Sequence, residues 1–148
     1  MNESRKNFLA ACLPASVFAL CFGMAAQAQD AGSLPIDQPT QVKGVETACT
    51  GIGNREENEA RWRNYPAKLE VVGDHGQWLA DETVSVDGNG QALQVNCEAP
   101  WVLMRLEPGR YHATVRIPDA APKHISFTVP QEGQRDVIVR FPTGEQSS

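Results

Sequence analysis

Between Trp101 and Ile117 the chain reads WVLMRLEPGRYHATVRI, and this stretch restricts the fold more than any other. Tyr111, Ala113, Val115 and Ile117 alternate with His112, Thr114 and Arg116. Apolar residues at every second position are the pattern of a strand buried on one face. Pro108-Gly109 interrupts that pattern just before it begins. Proline fixes φ at the first central position of a turn, and glycine accepts the positive φ that a type II turn needs at the second. Glu107-Pro108-Gly109-Arg110 therefore predicts a type II turn, and the whole stretch a hairpin. Trp101 to Met104 is β-prone with little alternation, which suits a strand partly covered on both faces.

The same reasoning extends outward. Alternating or β-prone segments are predicted at Ala67 to Val72, Leu79 to Val86, Ala92 to Cys97, Ile125 to Val129 and Val137 to Phe141. Asp87-Gly88-Asn89-Gly90 carries two strong turn signals and predicts a hairpin between the second and third of the strands. Seven short strands separated by Gly/Pro turns predict an all-β sandwich. One short helix precedes them, over Asn54 to Asn64. Asn54 can cap it, Glu57 completes the capping-box spacing, and Pro66 stops it. So short a helix needs packing to hold it, and Trp62 is its best anchor.

Residues 1–28 read as a secretory signal: Arg5 and Lys6, an apolar run from Phe8 to Ala26, and an Ala26-Gln27-Ala28 cleavage site. Cys12 has a lipobox-like approach, but Phe8 to Ala11 is too short to be the apolar core of a lipoprotein signal. Pro14 interrupts the run, which argues against a retained anchor and leaves no membrane span in the mature chain. The expected location is periplasmic. Removing Arg5, Lys6 and Glu3 from 13 basic and 18 acidic residues leaves 11 and 17, a net charge of −6. With no basic run in the sequence, nucleic acid and anionic lipid are not expected partners. Residues 29–48 lack a period and are read as a flexible lead-in, 49–142 as the domain, and 143–148 as a polar tail. Cys49 and Cys97 survive export, and two cysteines in an oxidising compartment predict one disulfide. It would pin the segment before the helix more than it would close the sandwich.

Chemistry-bearing motifs are sparse. His75, His112 and His124 form no short metal-ligand spacing, and no nucleophile elbow or phosphate-binding loop is present. No catalytic, cofactor or metal site is expected. The candidate binding surface consists of His75 and Trp78, in and beside the loop after the first strand, and His112, outward on the central strand.

Leu106-Glu107-Pro108-Gly109-Arg110-Tyr111 with Val115 resembles the core motif of carboxypeptidase regulatory-like domains. Gly76-Gln77-Trp78-Leu79-Ala80-Asp81 with Val84 and Val86 resembles a strand of their small periplasmic members, and Gly51-Ile52-Gly53 with Glu56-Glu57 their pre-domain segment. The resemblance spans roughly Thr50 to Phe141 and implies a seven-stranded transthyretin-like (Ig-like) β-sandwich. It implies no peptidase activity. Transthyretin-like enzymes that hydrolyse 5-hydroxyisourate end in a Tyr-Arg-Gly-Ser-type tail, whereas this chain has Phe141-Pro142-Thr143-Gly144-Glu145. The expectation is a non-catalytic periplasmic module that binds an envelope protein, peptide or polymer. The alternative is a small periplasmic hydrolase or ligand-binding protein, which a cleft joining His75 or His112 to an arginine would favour.

Overall fold

A computed structural model describes residues 32–142. The expected signal, 1–28, and the polar tail, 143–148, lie outside the described residues. Nine strands and one helix follow in order: β1 (Thr40–Val42), β2 (Val45–Thr50), α1 (Arg55–Trp62), β3 (Ala67–Gly73), β4 (Glu82–Gly88), β5 (Gln91–Cys97), β6 (Trp101–Met104), β7 (Gly109–Arg116), β8 (Lys123–Val129) and β9 (Arg135–Phe141). They form a larger sheet in the order β1-β2-β6-β3-β9 and a smaller one in the order β5-β4-β7-β8. Pairing is antiparallel except between β3 and β9, which run parallel.

Alternation does what the sequence predicts. Tyr111, Ala113 and Val115 are buried and His112 and Arg116 exposed. They meet Val84, Val86, Val95 and Phe127 of the smaller sheet and Leu69, Val102, Met104 and Phe141 of the larger in one continuous core. The β4–β5 hairpin turns on Asn89 and Gly90 at φ 48° and 74°, the double positive φ of a type I′ turn.

The stretch from Trp101 to Ile117 is not a hairpin. β6 lies in the larger sheet between β2 and β3, and β7 in the smaller sheet between β4 and β8. Both strands have their edges occupied, so neither is free to pair with the other. The connection crosses from one sheet to the other, with Leu106 buried within it. Gly109 has φ 152°, far more extended than the corner of a type II turn. Tyr111 instead sets the bend: its hydroxyl donates to the Glu107 carbonyl at 2.7 Å. This is the arrangement of a tyrosine corner.

The lead-in is also more structured than its composition suggests. β1 and β2 occupy its second half and turn on Lys43 and Gly44 at φ 50° and 81°. Leu34, Val45 and Cys49 join the core. The pattern was hard to read because β2 buries small and polar residues, with Ala48, Thr47 and Thr50 all fully enclosed. Ala48 is small because Trp62, Tyr65 and Leu103 pack with it. α1 therefore covers the outer face of the larger sheet. Asn54 caps it by accepting the Glu57 N–H at 3.1 Å, and the Gln134 side chain donates to the Trp62 carbonyl at 2.9 Å. β4 starts three residues later than predicted, at Glu82, because Trp78 and Leu79 pair with β3 instead.

Cys49 and Cys97 form the disulfide, with 48 residues of separation. Cys49 lies in β2 and Cys97 in β5, so the bond joins the two sheets through the core and does more than pin the helix segment. Closing a loop of that size in the unfolded chain is worth about 4 kcal/mol on entropy grounds. The double variant Cys49→Ala/Cys97→Ala should lose about 2–4 kcal/mol in urea unfolding, with hydrogen-exchange protection falling in both sheets. Protection lost only between Thr50 and Pro66 would show the bond to be a local pin.

Candidate functional site

β3 is buried along its whole length on both faces. Its inward residues are apolar, but its outward residues are Lys68 and Glu70, only 4% and 2% exposed. Charges so enclosed need partners. Lys68 Nζ lies 3.0 Å from Asp136 Oδ2 and 3.7 Å from Glu70 Oε2. It also stands 4.3 Å from the Trp101 ring centroid, in cation–π range. Glu70 accepts the Trp78 Nε1–H at 2.9 Å and faces Arg55 Nη1 at 3.4 Å. The Arg55 guanidinium sits 5.9 Å from the Trp78 ring and 5.8 Å from that of Trp101.

Trp78 is brought there by a tight loop. Gly73 N–H donates to the Gln77 carbonyl at 2.8 Å, and Leu79 N–H to the Val71 carbonyl at 3.0 Å. The chain thus returns beside β3 just beyond the start of β6, and the Trp78 indole meets Trp101 edge-on at 6.0 Å. The indole remains 37% exposed. Ile138, opposite Glu70 in the β3–β9 register, is 56% exposed, and Ile52, next to the Gly51 that abuts Trp101, is 55% exposed. Trp78 and Ile138 thus leave apolar surface exposed on either side of the buried Glu70. An arginine and a tryptophan beside it match the composition of interface hot spots.

His75 is in the same loop, its amide donating to Gln77 Oε1 at 2.9 Å, with its side chain exposed. His112 is elsewhere, on the outward face of the smaller sheet. The three candidate residues therefore define two surfaces. His112 stands opposite Asp87 on one side and Ser126 on the other, with its Nδ1 2.8 Å from Ser126 Oγ. One step along, His124 Nδ1 lies 3.0 Å from Thr114 Oγ1. Thr83–Asn96 and Ser85–Gln94 make similar cross-strand bonds on this face. Such pairs tie neighbouring strands together. Arg110 and His112 share an open cleft of about 310 Å³ with Ser126 and Thr128. The sequence places His112, Thr114 and Ser126 outward and Arg110 in a turn, and only the strand register shows which residues meet across strands.

Sequence reasoning also passed over Glu82. It is 1% exposed at the start of β4, and neither carboxylate oxygen has a hydrogen-bond partner among the described residues. Its only signal was its place in the inward series with Val84 and Val86. Burial, reinforced by the Asp81 carboxylate, pushes its pKa up to about 9. At the other end of the sandwich, burial and the neighbouring Glu46 push Tyr65 up to about 12. The Tyr65 hydroxyl, donating at 2.6 Å, holds Glu46 below the usual carboxylate range.

Among the described residues no three His, Cys, Asp or Glu side chains are grouped to hold a metal ion, and no helix is long and apolar enough to cross a membrane. Compared with protein-family models and with curated proteins, the sequence matches none.

The Glu82 environment sets a pH dependence. The folded state holds the proton up to about pH 9, whereas the unfolded chain releases it near 4.5. The contribution to stability is fully present below the unfolded value and is lost as pH rises toward the folded one, by up to about 1.4 kcal/mol per pH unit. Urea unfolding across this range should show that decline, and Glu82→Gln should flatten it. An unchanged slope in the variant would assign the decline to other groups.

Proposed function

We propose that the chain is a non-catalytic interaction module of the cell envelope, built on a transthyretin-like sandwich of the carboxypeptidase regulatory-like kind. The observation that carries this reading is the partly exposed Trp78 indole beside Arg55, with exposed Ile138 across from their shared partner Glu70. Exposed apolar groups gathered beside an aromatic–arginine pair are the ordinary makings of a protein or peptide contact. The buried Lys68–Glu70 pair beneath, tied to Asp136 at the surface, gives them a fixed base, which lowers the entropy lost on binding. Export to the periplasm is supported by the signal-like residues 1–28 and agrees with a disulfide, which persists in oxidising compartments.

The second reading, a ligand-binding protein on the same scaffold, is favoured by one observation. Arg110 and His112 line the same cleft.

The first reading is tested by pull-down from periplasmic extract with the mature protein and with Trp78→Ser. The expected result is a partner recovered by the former and reduced at least tenfold with the latter. Equal recovery by both would move the binding surface away from Trp78.

A further inference from the structure

The outward face of β7 and β8 carries an arrangement that the net charge conceals. Arg110 pairs in register with Thr128, and His112 with Ser126. The four side chains occupy the corners of one rectangle, and together they line the 310 Å³ cleft. Arg110 makes no hydrogen bond or ion pair among the described residues, so its five N–H donors are uncommitted. When Ser126 Oγ accepts the Nδ1–H of His112 across their 2.8 Å separation, its own hydroxyl proton is free to point into the cleft. Thr128 supplies a second hydroxyl, about 7 Å along the strand from the first. No carboxylate lines this cleft; Asp87 lies on the other side of His112, in a neighbouring groove that also holds Lys43.

We propose that this cleft binds a tetrahedral oxyanion, a phosphate or a sulfate, free or at the end of an ester. The guanidinium fork matches two oxygens of such a group, and the two hydroxyls on the facing strand reach the others. A carboxylate has only two oxygens in one plane and leaves donors unmet. The inference rests on the ligand-binding reading and is independent of the Trp78 surface.

The test is a chemical-shift titration of the mature protein at fixed ionic strength, with inorganic phosphate, sulfate and acetate in separate arms. Phosphate or sulfate should give saturable shifts in Arg110 to His112 and Ser126 to Thr128. Arg110→Gln should weaken that binding at least tenfold and Ser126→Ala several-fold. Arg116→Gln, on the same face of β7 outside the cleft, should change it less than twofold. All three substitutions are at exposed positions, and unchanged thermal melts confirm that the fold is kept. Acetate binding as tightly as phosphate and sulfate with the same dependence on Arg110 would leave a ligand site but overturn its assignment to a tetrahedral oxyanion. Non-saturating shifts in every arm, or an Arg116→Gln loss equal to that of Arg110→Gln, would overturn the site itself. Neither result bears on capture by the Trp78 surface, so the two readings fail separately.

Discussion

The indole of Trp101 lies where four segments meet, and the outer face of the larger sheet is organised by what that ring leaves room for. It is fully buried at the start of β6, a strand enclosed on both faces. Gly51 abuts it so closely that a Cβ there would lie 2.8 Å from the ring, and at φ 102° the backbone itself favours glycine. From that glycine the chain leaves β2 toward the helix, which carries Arg55 to within cation–π distance. Lys68 lies over the same ring and Trp78 meets its edge. A smaller residue at Trp101 would loosen helix, loop and ion pairs together, because Arg55, Trp78 and Lys68 all pack against the one ring.

Local chemistry was legible in the sequence where a residue's role depends on its neighbours along the chain. Period-two alternation gave the inward and outward residues of β7, the Asn89-Gly90 turn gave the β4–β5 hairpin, and Asn54 with Glu57 gave the helix start. Pairing was not legible. Trp101 to Ile117 looks like a hairpin because alternation and Pro108-Gly109 are local signals. Which edge a strand occupies depends on competitors elsewhere, and β2, β3, β4 and β8 already hold the edges of β6 and β7. β2 escaped notice for a related reason. Its buried outward residues are small because Trp62 comes from a different element to cover them. Of the candidate surface, Trp78 could be suspected from its place beside a glycine-flanked loop, but its bond to Glu70 and the meeting of Arg110 and His112 with Thr128 and Ser126 exist only once register is fixed.

The two outward faces are built on opposite plans. On the larger sheet, charges are sunk beneath aromatic rings and apolar groups remain exposed at the rim. The enclosed charges cost desolvation energy that their partners offset, and the return is a contact surface with little freedom left to lose. On the smaller sheet, hydroxyls, amides and imidazoles pair across strands while Arg110 is left without an acceptor among the described residues. The first face suits an apolar partner and the second a small polar one. The Cys49–Cys97 bond holds the sheets that bear them in one relation.

An acidic chain can still hold an anion because the two charge effects act over different distances. The net charge of −5 is felt at long range, where salt at physiological strength screens it beyond roughly 8 Å. Recognition in the cleft is decided within hydrogen-bonding reach of Arg110, Ser126 and Thr128, where screening is weak and donor geometry dominates. The acidic surface would slow the approach of an anion without weakening the bonds it makes on arrival. It would act more strongly against a polyanion, whose charges extend beyond the cleft and meet the rest of the surface. Local donors within a repelling field therefore favour small singly anchored oxyanions over extended polyanions.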